Sequence, residues 1–268
     1  MQEYNRVDQK IHWLSQAIAK VNKSYVPEKS DDSHTNLVFD ALGEKICGRW
    51  FDTAKGQLLL CLNLKTPEFR FMDRKQNVVA SFSVFNKSMH QIEKDLAHFL
   101  VHIGMDISPL TSPLHFEIPD YGIASIEEHE ISKEGLDLWK FYRKMAQNSC
   151  QNFLGYLQQE SEIRIWPHHF DTGIYVQISE ELGLGFGLAM KDDMVGDAYF
   201  YLSAYVSEGV IKNSTLHELK VGYWETGGAF QGAVLPLHSI TSDSIVQAER
   251  AIDLFIKEAV MQLINHRD

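Results

Sequence analysis

This 268-residue sequence has no run of apolar residues near the ~18 that a membrane-spanning helix requires, which excludes an integral helical membrane protein. Cysteine is scarce. Cys47, Cys61 and Cys150 are scattered and carry no metal or redox spacing, so a disulfide framework is excluded and a reducing cytoplasm is expected. Cys61, inside the run LLLCLNL, reads as a small buried hydrophobe. Positive charge is also short: 25 Lys and Arg stand against 36 Asp and Glu, a formal net charge of -11. Without a basic cluster such a chain repels phosphate backbones and anionic lipid surfaces, so neither nucleic acid nor membrane is an expected partner. The first ten residues, MQEYNRVDQK, are polar and lack the apolar core of a secretory signal. No G-x-S-x-G, P-loop, H-E-x-x-H or helix-opening G-x-G-x-x-G occurs, so no cofactor is named by motif.

What is present is an ordinary globular balance, 44% hydrophobic and 23% charged, in a chain long enough for one large or two modest domains. Ile11, Leu14, Ile18 and Val21 recur at helical spacing. Four strand-like runs follow: NLVFDAL, QLLLCLNL, EFRFMD and NVVASFSVF. Ser88 and Gln91 form a capping box before a helix faced by Ile92, Leu96, Phe99 and Ile103. Residues 107–132, with Pro109, Pro113 and Pro119, read as a linker in which LHFEI is a candidate short strand. A helical pattern then runs from about Lys133 to Gln159, with Leu138, Tyr142, Met145, Phe153 and Tyr156 along one stripe. Four more strand candidates follow, FDTGIYVQI, LGLGFGLAM, AYFYLSAYV and AFQGAVLPL, with Gly227-Gly228 as a turn before the last. Ser244 and Gln247 open a final helix carrying Ile245, Ala248, Ile252, Phe255, Ala259 and Leu263.

Both halves, 1–106 and 133–268, thus read helix, four strands, helix. The expected class is α+β with mainly antiparallel sheet. EKDLAHFL from Glu93 aligns with ERAIDLFI from Glu249. An internal duplication is one reading of that match; two capped amphipathic helices resembling each other by construction is the other.

Alternation assigns faces in the second half. Phe170, Thr172, Ile174, Val176 and Ile178 share a side, as do Leu182, Leu184, Phe186, Leu188 and Met190, and Phe200, Leu202, Ala204 and Val206. The opposite side carries Asp171, Gly173, Tyr175 and Gln177, then Gly183, Gly185 and Gly187, then Tyr199, Tyr201, Ser203 and Tyr205. A glycine strip inside strands marks close approach by another group. Tyrosine, with a flat apolar body and a polar tip, suits either a ligand cleft or the filling of space above glycine. Trp224 and Glu225 are expected to rim this face, and His169 and Asp171 to border it.

The stretch IWPHHFD, Ile165 to Asp171, sets Pro167 where a strand begins or lies at an edge. His169 and Asp171, two apart, form a pattern that supplies two metal ligands or a base with its orienting acid. His168 and His238 are the further candidate ligands, Asp192, Asp193 and Asp197 reserves. The alternative is that these side chains tie down the start of the strand by hydrogen bonds.

The motif W-P-x-x-F-D, followed by a glycine-containing strand, the aromatic AYFYLSAYV and a late G-A-V-L-P, resembles an uncharacterised bacterial domain-of-unknown-function family over about Leu138 to Pro236. The resemblance implies a shared corner at Trp166, Phe170 and Asp171 and no activity. Three functions are therefore expected in turn: a small molecule on the Tyr/Gly face, a metal-dependent hydrolase using the His-His-x-Asp segment, or a homodimer through the aromatic row.

Overall fold

The two runs of strand-like sequence form two antiparallel sheets in a computed structural model, which describes residues 1–206, 216–226, 230–240 and 244–265. The class is α+β. The chain separates into two units, residues 2–140 with 164–170, and residues 141–163 with 171–268. The boundary therefore does not fall in the expected linker. Residues 107–132 belong to the N-terminal unit, where Ile126 is buried and bridges Phe85. LHFEI is not a strand.

The N-terminal unit contains α1 (Gln2–Tyr25), β1 (Val38–Asp40), β2 (Lys45–Cys47), β3 (Phe51–Thr53), β4 (Gly56–Asn63), β5 (Glu68–Asp73), β6 (Val78–Ser83) and α2 (Met89–His102). Its sheet runs β1-β2-β4-β5-β6, with β3 also paired to β4. The register aligns Ile46, Leu62 and Phe69 on one face, and Leu60 and Phe71 beside them. α1 meets β4, burying Val7, Ile11, Leu14, Ile18 and Val21. Each such side chain contributes roughly 1.5–3 kcal/mol. Phe99 of α2 stacks on Phe71 at 4.7 Å. The Ser88–Gln91 capping box that starts α2 is formed in both directions.

α3 (Lys133–Leu157) contributes residues 133–140 to the first unit and 141–157 to the second. β7 (Arg164–Ile165) lies with the N-terminal unit, where Ile165 exchanges both backbone hydrogen bonds with Leu37. The C-terminal unit then holds β8 (Thr172–Ser179), β9 (Leu182–Ala189), β10 (Tyr199–Val206), β11 (Tyr223–Glu225), β12 (Gly232–Pro236) and α4 (Ile245–Asn265). Within it β8, β9 and β10 form a meander, β12 returns beside β10, and β11 pairs on the far side of β12. The expected turn at Gly227-Gly228 lies outside the described residues.

Helix, strands, helix holds for each unit, but the strand orders differ, and an internal duplication is not shown. The short strands β2, β3, β7 and β11 are additions to the four-strand reading of each half.

Candidate functional site

Register turns the sequence alternation into rungs across the C-terminal sheet. One rung reads Gly173, Gly187, Tyr201, Val234, Tyr223; the next reads Tyr175, Gly185, Ser203, Gly232, Glu225; the third reads Gln177, Gly183, Tyr205. The opposite face is aliphatic and carries the helices. Phe153 of α3 stacks on Phe186 at 5.2 Å, and α4 meets β10 and β12. On the Tyr/Gly face Tyr175, Tyr205 and Tyr223 are 43%, 55% and 43% exposed.

The glycines are required by the rings above them. A Cβ on Gly183 would meet the Tyr175 ring, one on Gly185 would meet Ser203 and Tyr205, and one on Gly173 would meet the Tyr201 hydroxyl. Tyr175 and Tyr205 pack edge to face at 5.5 Å, and the Tyr175 hydroxyl donates to Gln177 Oε1 at 2.5 Å. Half of the sequence reading of this face, rings filling space over glycine, is therefore the geometry of the strip. The outer sides of those rings remain open to solvent.

Where the face meets the IWPHHFD segment, Tyr201 donates its hydroxyl proton to Asp171 Oδ2 at 2.5 Å, and Asp171 is only 9% exposed. Burial, then the Asp171 charge, drives the Tyr201 pKa well above that of free tyrosine. Tyr199, on the same face, is buried and donates to Asp192 Oδ2 at 2.7 Å; burial first and Asp192 second raise its pKa as well. Burial also raises the thiol of Cys150. Loss of a proton is disfavoured at each of these groups, and both tyrosine hydroxyls are committed to carboxylates.

Two expectations for this face need correction. Trp224 pairs with Ala233, so it alternates to the side opposite Tyr223, and its indole Nε1 donates to the His217 carbonyl at 2.9 Å. Phe170 does not begin the aliphatic side of β8, which starts at Thr172. Phe170 instead closes a tight turn, its N–H donating to the Trp166 carbonyl at 2.6 Å, with φ at +55°. That left-handed backbone costs a bulky residue about 1–2 kcal/mol, so packing must hold it there.

The packing comes from α1. His12, 1% exposed, stacks on Phe170 at 4.8 Å. Its Nε2 donates to the Pro167 carbonyl at 2.8 Å, and Gln16 Nε2 donates to the same oxygen at 2.9 Å. The carbonyl can only accept, so a neutral His12 presents Nδ1 as acceptor to the Tyr121 hydroxyl at 2.7 Å. Nearby, Trp139 Nε1 donates to the buried Asp8 at 2.7 Å. The sequence reading missed this network, although a signal existed. Asp8, Ser15 and Asn22 recur every seven residues within the buried stripe of α1, with His12 between them.

His168 and His169 lie 4.3 Å apart ring to ring; His169 is exposed, and His168 also packs on Phe116 at 5.5 Å. His238 Nδ1 lies 3.0 Å from Asp197 Oδ2, which also accepts the His238 backbone N–H. Among the described residues no group of three His, Cys, Asp or Glu side chains is placed to hold a metal ion.

A groove of about 350 Å³ in the N-terminal unit is lined by Ala17, Val21, Leu96, Ala97 and Leu110. Its polar rim, Lys20 with Glu93, is already paired at 2.8 Å. Among the described residues no helix is long and apolar enough to cross a membrane. No family model matches the chain, and neither the curated proteins nor the solved structures searched contain a match.

Proposed function

We propose that the C-terminal unit binds a planar, uncharged small molecule on the open Tyr/Gly face of its sheet. One observation carries this reading: three tyrosine rings, each more than 40% exposed, stand on one face while both helices of the unit pack on the other. A flat ligand stacks on the outer sides of Tyr175 and Tyr205, whose rings pack together. Ser203, on the Tyr175 rung, and Gln177, on the Tyr205 rung, are the polar groups beside them that fix its orientation. The three free thiols support a reducing, cytoplasmic setting.

Saturation-transfer NMR with indole, adenine and nicotinamide as probes tests the reading. Wild-type protein transfers saturation to at least one heteroaromatic. Tyr205→Ala, which removes an exposed ring and no core contact, weakens that binding about tenfold, the worth of a lost aromatic pair. Probes that bind wild type and Tyr205→Ala equally remove the site from this face. Light scattering on the same samples separates the competing reading. A dimer dissociated by Tyr205→Ala assigns the aromatic row to self-association instead.

A further inference from the structure

The side of the N-terminal sheet turned away from Phe71 and α2 brings together two residues that stand far apart in sequence. In the pairing of β2 with β4, Cys47 lies directly opposite Cys61. Gly48 donates to the Leu60 carbonyl at 2.8 Å and Leu64 to the Glu44 carbonyl at 2.9 Å. Hydrogen-bonded pairs alternate along an antiparallel ladder, so Cys47 and Cys61 occupy a non-hydrogen-bonded position. Such positions bring Cα atoms to about 4.5 Å, inside the ~4.4–6.8 Å span of disulfides. Cys61 is fully buried beneath Leu59 and Met72, while Cys47 is partly exposed at the margin of the same cluster. The Cys61 thiol also lies 3.5 Å from Met72 Sδ.

We propose that Cys47 and Cys61 form a reversible cross-strand disulfide, closed by a low-molecular-weight disulfide such as oxidised glutathione. The two sulfurs differ in access, which divides their roles. Cys47 meets the oxidant and Cys61 resolves. The hydrogen bond between them, with Lys45 and Arg70, holds the Cys61 thiol down against its burial, while that bond and burial push the Cys47 thiol well up, so the division of roles rests on access alone. Cys47 gives its proton to solvent as its sulfur attacks one sulfur of the glutathione disulfide. A Cys47–glutathione mixed disulfide forms and one glutathione thiolate leaves. Cys61 then gives its proton to solvent, attacks Cys47 Sγ and expels the second glutathione. Two protein thiols lose two electrons and two protons in total; one small disulfide becomes two thiols. In a reducing compartment such a bond is transient, a response to oxidant rather than a permanent staple.

Folded protein incubated with oxidised glutathione, then denatured and alkylated, tests this by intact mass. Wild type is expected to lose two of its three alkylatable thiols and two hydrogens of mass, retain no glutathione, and recover fully with dithiothreitol. Cys150, fully buried on α3 in the other unit, serves as the internal control that stays reduced. Cys61→Ser is expected to stop with one glutathione on Cys47, and Cys47→Ser to stay unmodified. Should either variant misfold, peptide mapping of oxidised wild type still decides, because the proposal requires a Cys47–Cys61 linkage. Three alkylatable thiols after exposure, a stable glutathione adduct on wild type, or a linkage to Cys150 overturns it.

Discussion

The two sheets differ most on the faces that their own helices leave uncovered. On the N-terminal sheet that face carries Lys45, Glu68 and Arg70 beside Asn63, Cys61 and Met72. Arg70 pairs with Glu68, and Arg74 lies 4.3 Å over the Trp50 ring. Half-buried charged side chains here rim a small buried patch of Leu59, Cys61 and Met72. On the C-terminal sheet the equivalent area is aromatic and glycine, with Glu225 the acid of its middle rung. Charged side chains hydrate a sheet face at little cost, whereas uncharged rings left in water favour a partner. This difference is the ground on which we propose recognition on the second sheet and redox chemistry on the first.

The strongest way to break the comparison is to deny the second face its glycines where the backbone cannot move. A Cβ on Gly187 would sit 2.4 Å from the Thr172 carbonyl oxygen and 2.7 Å from the Gly173 Cα. Gly187→Val should therefore destabilise by about 3 kcal/mol or more, since strain falls on the β8–β9 pairing itself. Thermal unfolding checks this. A melting temperature within a degree or two of wild type would mean that the close approach of β8 and β9 is not as described.

A smaller loss follows from the polar end of the same face. Tyr201→Phe removes the donor to Asp171, and a hydrogen bond to a charged group is worth about 1.5–3 kcal/mol. The pH dependence sharpens the test. Tyr199 and Tyr201 have folded pKa values raised above the ordinary 10.0, so the unfolded chain releases those protons first. Their stabilising contribution is complete below about pH 10 and is lost as pH rises toward the folded values. Tyr25 in the N-terminal unit, pushed up to about 12 by burial and Asp106, behaves alike. Urea titrations between pH 10 and 12 should show a shallower decline for Tyr201→Phe than for wild type, from a lower starting stability. An unchanged slope would place the Tyr201 hydroxyl in water.

How far the sequence reveals this contrast depends on element length. β8, β9 and β10 each span eight residues, enough alternation to assign Tyr175, Tyr199, Tyr201 and Tyr205 to one face with the glycines. β2 and β11 have three residues each, too few for a period, so Trp224 is misassigned and the opposition of Cys47 to Cys61 is invisible. Register is a property of two strands and is written in neither. The His12 network was missed for another reason. A polar residue in an apolar helical stripe has no period of its own, and its partners, Pro167 and Tyr121, come from distant loops. The left-handed Phe170 follows from that network rather than from local propensity, which disfavours it.

The smallest structural effect is expected where a glycine is covered by a ring that can swing away. A Cβ on Gly183 would collide only with the Tyr175 side chain, its hydroxyl and ring edge, and Tyr175 is 43% exposed. Gly183→Ala should thus leave stability within about 1 kcal/mol of wild type, because displacing an exposed ring offsets the ~0.4–1 kcal/mol gained by restricting the unfolded chain. Binding responds differently. The new methyl lifts Tyr175 off the sheet and breaks its edge-to-face packing with Tyr205, so the planar probes should lose affinity although every tyrosine is still present. Gly187→Val and Gly183→Ala together separate fold from recognition on one strand: the first tests whether the backbones approach closely, the second whether the rings must lie flat to bind. Equal probe binding by wild type and Gly183→Ala, at unchanged stability, would show that the placement of Tyr175 is immaterial and would leave Tyr205 as the ring that carries the ligand.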